Sequence, residues 1–235
     1  MIVSVHQPQY LPWLGYFHKI DRSDIFVFLD NVQYKEREYQ NRNKIRTKDG
    51  WMWLTVPVIS KGLGRQKIGN VRIDNAFNWR KHHRDSLLNH YSRAPFFKDY
   101  WDFFEGTYSS VWEKLPDLNV HIIKYILAKL KIHTAIYYES ELCVCSRRTD
   151  RIVDICRRLE VTTYLSGSGG KEYLKEEKFI EAGIKLEYQD FLHPVYRQRY
   201  ASETGPFLPF MSAVDLLFNE GDRALHILRG EVKYV

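Results

Sequence analysis

Four polar residues near the amino terminus carry the first chemical signal: His6, Gln7, Gln9 and Tyr10. An imidazole, two amides and a phenol lie together there, a set suited to a polar ligand. Histidine titrates at about 6.5 when unperturbed, so His6 is a candidate general base near neutral pH. The bland reading is a core histidine with a satisfied hydrogen bond. Asp30 is a second candidate base, or a group that caps a loop. The other marked segment is Ser166-Gly167-Ser168-Gly169-Gly170-Lys171. Its glycines let backbone approach a ligand without a Cβ clash. Its N–H groups could form an anion nest, with Lys171 adding positive charge. A tight turn is the competing reading. The loop lacks the G-x-x-x-x-G-K-[ST] spacing of a phosphate-binding P-loop, and neither serine sits in G-x-S-x-G. Gln33, Asn41, Arg42, Asp190 and His193 complete the candidate ligand contacts.

The elements that must hold these residues follow from pattern. Residues 2–6 are a short β-branched apolar run, hence a buried strand. Pro8 and Pro12 mark a turn. Leu14, Phe17 and Ile20 recur at helical spacing. Residues 24–30 form a second apolar run bounded by aspartates. Strand, helix, strand in so short a span predicts a βαβ unit. The expected fold class is therefore α/β, a parallel sheet with helices on both faces. Ligands of such sheets bind beyond the carboxyl ends of the strands. Those ends carry His6-Gln7 and Asp30-Asn31. A helix starting near Leu11 would aim its positive end at the same place.

Further along, the turn signal Lys48-Asp49-Gly50 precedes a strand over 51–58, and 60–75 is a glycine-bearing loop. Residues 78–130 have a helical pattern. The chain reads as one α/β domain over 1–235, with 60–132 a mainly helical insertion expected to cover the pocket. Strands at 135–138, 162–165 and 184–188 alternate with helices at 149–159, 174–182 and 211–219. Thr149 is the expected N-cap of the first of these helices. His6, Asp30 and the Gly167–Gly170 loop, all following strands of one sheet, are expected to share a pocket.

Composition narrows the class. The net charge of +6 suits an anionic partner without choosing one. Three cysteines, an odd and sparse set, argue against a disulfide framework and for a reducing, cytoplasmic setting. Cys143 and Cys145 lack a second ligand pair, and His82 and His83 lack i, i+4 spacing, so no metal site is expected. No signal peptide and no membrane span are read. The residues do not name a cofactor.

Several separated segments carry a resemblance. His6-Gln7-Pro8-Gln9-Tyr10-Leu11-Pro12-Trp13-Leu14-Gly15-Tyr16-Phe17, Asp30-Asn31-Val32-Gln33 and Gln40-Asn41-Arg42-Asn43 are three of them. Trp53-Leu54-Thr55-Val56-Pro57 and Tyr164 through Gly170 follow, then Tyr188-Gln189-Asp190-Phe191 and His193-Pro194-Val195-Tyr196. In this order they resemble the WbqC-like family along essentially the whole chain. Ser168 stands where that family often has proline. The resemblance implies work on sugars of surface polysaccharides such as O-antigen. In particular it implies transfer of an acyl or aminoacyl group to an amino sugar in nucleotide-linked form. Its small-molecule partners would be a nucleotide-sugar and an activated acyl donor. A more distant likeness is to the Rossmann-like nucleotidylyltransferase fold. There the P-x-H-x-G-H stretch would align with Pro8 to Trp13, which has neither histidine. Two alternatives stay open: a nucleotidyltransferase or adenylate-forming ligase using ATP, and a non-catalytic nucleotide or nucleic-acid binder. The lack of a recognised reader module disfavours nucleic acid.

Overall fold

The computed structural model describes residues 1–201 and 205–232. Five strands form one parallel sheet: β1 (Ile2–His6), β2 (Ile25–Phe28), β5 (Ala135–Tyr138), β6 (Thr163–Ser166) and β7 (Lys185–Tyr188). Their spatial order is β5-β2-β1-β6-β7, and every pairing is parallel. Helices cover both faces, as the α/β reading expects. Alternation along the strands assigns the faces. Val3, Val5, Ile25 and Val27 pack on one side with Ile152 and Ile155 of α5 (Arg148–Arg158) and Phe179 of α6 (Glu176–Glu181). Phe26 and Phe28 pack on the other with Phe17 and Ile20 of α1 (Leu14–Asp21). Thr149 lies inside the first turn of α5, whose N-cap is Arg147; its hydroxyl instead accepts from the Lys175 N–H at 3.2 Å.

The helical region begins later than 60. Residues 56–78 run as loop with a short 3-10 turn at Ile68–Asn70. Helices α2 (Trp79–Tyr91), α3 (Phe97–Ser109) and α4 (Leu115–Lys129) follow. Their apolar faces join α1 and the later helix α7 (Ala213–Glu220) in one core, where Phe97 and Phe104 meet Phe218. The strand expected at 51–58 is β4 (Gly50–Thr55). Among the described residues it pairs with β3 (Arg42–Thr47) in an antiparallel hairpin apart from the parallel sheet. Helix α8 (Ala224–Leu228) comes last.

One buried polar node binds these parts. Asp215 of α7 is fully buried and accepts from Tyr91 Oη at 2.7 Å, Tyr196 Oη at 2.6 Å and Gln198 Nε2 at 2.8 Å. The Tyr91 hydroxyl also accepts from the Arg46 N–H at 2.8 Å. Helices α2 and α7, the hairpin and the 196–198 segment thus meet at one carboxylate. Burial holds its pKa above the usual carboxylate range despite three donors. Replacing Asp215 by alanine strands three buried donors, each costly without a partner. The D215A variant should lose about 3 kcal/mol or more of unfolding free energy by urea titration. A loss below about 1 kcal/mol would show that the node is not what joins these elements.

Candidate functional site

The sheet order places a crevice. From β1 the chain goes to β2 and β5 on one side, while β6 is followed by β7 on the other. Between β1 and β6 the connections diverge, which leaves a gap above their carboxyl ends. His6 ends β1 and Ser166 ends β6. A cleft of about 980 Å³ opens there, large enough for a nucleotide-sized ligand.

His6 lies at the cleft floor with its ring centroid 5.1 Å from that of Tyr16. Its Nδ1 is buried with no hydrogen-bond partner. Burial first, and the nearby Lys19 charge second, hold its pKa well below the ordinary value. The imidazole is therefore neutral at physiological pH, and its burial makes it a weaker proton acceptor than a solvated histidine.

Lys19 is the residue that sequence reasoning missed. It is only 4% exposed, yet it lines the cleft, and its Nζ donates to the Val5 carbonyl at 3.0 Å. Among the described residues it makes no ion pair. Burial lowers its pKa to about 7. Six of the eight residues of α1 are buried, so the helix has no clean polar stripe from which a functional lysine would stand out.

The larger lobe is strongly cationic. Seven basic side chains line it, against the single carboxylate of Glu172, so it favours an anion. Lys35 comes from the segment after β2, Arg65 and Lys67 from the loop after β4, and Arg147, Arg148 and Arg151 from the start of α5. Arg151 is already engaged, with Glu139 Oε1 at 3.0 Å and the Ser146 carbonyl at 3.0 Å. Gly167, Gly169 and Gly170 form the wall beside β6. A Cβ on Gly170 would sit 2.0 Å from Ser166 Oγ, so this close turn requires glycine. The Gly170 N–H donates to the Gly167 carbonyl at 2.9 Å and is not available to a nest.

A second lobe of about 370 Å³ shares His6, Lys19, Gly167 and Gly169 with the first. Its other walls are aromatic and amide: Trp13, Tyr16, Phe191, Gln9 and Gln189, with Ser168 and the acidic Asp190 at the edge. Gln9 Oε1 is buried without a partner. Gln189 Nε2 donates to the Gly15 carbonyl at 2.8 Å and lies 2.9 Å from His18 Nδ1. The Trp13 ring occupies the space a Cβ on Gly15 would need, at 2.2 Å, so that glycine lets the ring lie on α1.

The expected site residues divide. His6, Gln7, Gln9, Gln33, Ser166, Gly167, Ser168, Gly169, Gly170 and Asp190 line one lobe or the other. The convergence expected of three groups thus holds for His6 and the loop but not for the Asp30 carboxylate. Asp30 accepts from Ser140 N–H at 2.9 Å and Ser140 Oγ at 2.5 Å, capping the loop after β5. The Tyr10 hydroxyl is buried between Tyr108 Oη at 2.6 Å and His83 Nδ1 at 2.8 Å. Asn41 Nδ2 donates to the Val56 carbonyl, and the Arg42 guanidinium stacks 4.4 Å from the Trp53 ring centre. Lys171 lies over Tyr188 at 5.3 Å. His193 Nε2 accepts from the Phe210 N–H at 3.1 Å and the ring packs among aromatics. The helical region does not cover the cleft: none of its lining residues falls between 68 and 146. The large apolar surface of α2 to α4 is spent in the core with α1 and α7. Among the described residues no group of three His, Cys, Asp or Glu is placed to hold a metal. Among the described residues no helix is long and apolar enough to cross a membrane.

The chain matches the model of the WbqC-like protein family over residues 7–227. It belongs to that family. It is 35% identical over 228 residues to the uncharacterized protein Rv1507c of Mycobacterium tuberculosis, covering 97% of each chain. No solved structure matches it. The matched span takes in most of both lobes, from Gln7 through Asp190, and begins one residue after His6.

The Tyr10 network makes stability depend on pH. Burial chiefly, with His82 adding to it, holds His83 down to about 3. An unfolded histidine takes up a proton below about 6.5, while folded His83 does not. The unfolded state then binds more protons, so stability present above about pH 6.5 is lost as pH falls. Between pH 7.5 and 5 this one residue should cost about 2 kcal/mol. Urea midpoints across that range should fall, and His83→Gln should flatten the fall. An equally steep fall in the variant would assign the effect elsewhere.

Proposed function

We propose that this protein is a transferase that attaches an acyl or aminoacyl group to the amine of a nucleotide-linked amino sugar. The observation that carries the reading is the meeting of two unlike lobes at His6. The cationic lobe suits the phosphates of a nucleotide-linked substrate. The smaller lobe, with its indole, phenyl and amide walls, suits an uncharged sugar or acyl moiety. The reacting amine must lose a proton as it attacks. In this scheme its nitrogen bonds to the acyl carbon, His6 accepts the N–H proton and the donor's leaving group departs. Gly167 and Gly169 allow backbone to approach the developing oxyanion. A nucleotide-linked substrate fits a cytoplasmic reaction, as do the three free thiols.

The ligand class is read first by thermal unfolding with nucleotide-linked amino sugars, acyl-CoAs and ATP. A true ligand at about 100 times its Kd adds about 2.7 kcal/mol of stability. Stabilisation by ATP alone, with pyrophosphate release, would replace acyl transfer by adenylate chemistry. Under saturating substrate His6→Ala should lower kcat by about 100-fold or more, the scale of lost acid–base catalysis. Ser168→Ala should change affinity modestly, because that hydroxyl is exposed at the lobe's edge. A dead Ser168→Ala beside a near-normal His6→Ala would point to a covalent serine route.

A further inference from the structure

Lys19 occupies a place that packing alone does not explain. Its amine reaches the sheet from α1 and stops at the junction of both lobes, next to His6. A Cβ on Gly167 would lie 4.0 Å from Nζ, so the amine stands on the side of the glycine wall. A protonated lysine has three N–H donors. The Val5 carbonyl takes one at 3.0 Å, and no carboxylate pairs with the charge. A buried ammonium without a counter-ion is unfavourable.

The surroundings point to what completes it. On α1 itself the titratable neighbours are His18, Asp21 and Arg22. From β1 comes neutral His6. The same cleft is lined by Lys35 after β2, Arg65 and Lys67 after β4, and Arg147, Arg148 and Arg151 at the start of α5. Acid comes only from Glu172 in the larger lobe and Asp190 in the smaller. The phenols of Tyr16, Tyr164 and Tyr173 stay protonated, their pKa values raised by burial. An amine with one acceptor, in a cleft otherwise lined mainly by cations, suits an oxyanion.

We propose that Lys19 anchors a phosphate-type oxyanion at the junction of the two lobes, and that its amine takes up a proton as the anion binds. The inference rests on the cleft being the site of a phosphate-bearing ligand. Burial favours the neutral amine and brings its pKa to about 7. A bound oxyanion offers acceptors and negative charge, which raises the pKa of its partner. Above about pH 7, affinity then falls as pH rises, toward tenfold per unit.

The test is calorimetric titration with uridine diphosphate and adenosine diphosphate at about pH 8, in buffers of different ionisation enthalpy. A terminal phosphate with a pKa of about 6 is already ionised there, so the ligand's own proton exchange is small. Wild type should take up close to one proton per ligand. Lys19→Met should lose that uptake and bind about tenfold or more weakly, while Lys19→Arg keeps affinity without uptake. His6→Gln should retain the uptake, which separates the two neighbours. If wild type binds either diphosphate with no proton uptake, the inference fails while the phosphate reading of the cleft stands. Uptake retained in folded Lys19→Met has the same consequence. If wild type binds neither diphosphate, the reading of the cleft fails with it.

Discussion

The parallel pairing of β1 with β6 is the constraint on which the rest depends. Ile2 pairs with Thr163 and Val3 with Tyr164, across some 160 residues of intervening chain. That pairing sets His6 beside Ser166 and the glycine turn. It also makes the strand order diverge at this one seam, so connecting segments leave the carboxyl ends uncovered. Without it His6 would end an ordinary βαβ unit and the glycine loop would be a surface turn. The cation-bearing start of α5 reaches the same seam because α5 precedes β6 and packs on the face bearing Val3 and Val5.

Some buried polar groups join distant parts of this molecule: Asp215 takes three donors, and the Tyr10 hydroxyl has two partners. Such groups hold distant segments in register, because leaving any of them unpaired is expensive. At the cleft others are incomplete. His6 Nδ1 and Gln9 Oε1 lack partners, and Lys19 has a single carbonyl. Incomplete groups converging on one space are what a ligand completes.

Much of this was legible in the chain. The runs at 2–6 and 25–28 announce strands because every second side chain is buried on one face and the alternate ones on the other. The glycine loop was legible because Gly170 is the only residue type that fits against Ser166. Other signals misled. Asp30 follows β2 as a catalytic aspartate would, yet its rotamer serves Ser140. The helical pattern of 78–130 told that helices form, but not that their apolar faces would turn to α1 and α7 instead of the cleft.

The sequence by itself determined the elements, the α/β class and the two segments at which chemistry gathers, since periodicity and glycine placement are local properties of the chain. It also carried the family. Only the tertiary structure decided which polar groups face the same space. A side chain's neighbours depend on packing between segments far apart in the chain, and no local pattern encodes that. Lys19 shows the difference. In the chain it is one lysine of a short amphipathic helix. In the fold, α1 lies against β1, its amine is largely buried at the cleft beside His6, and desolvation lowers its pKa.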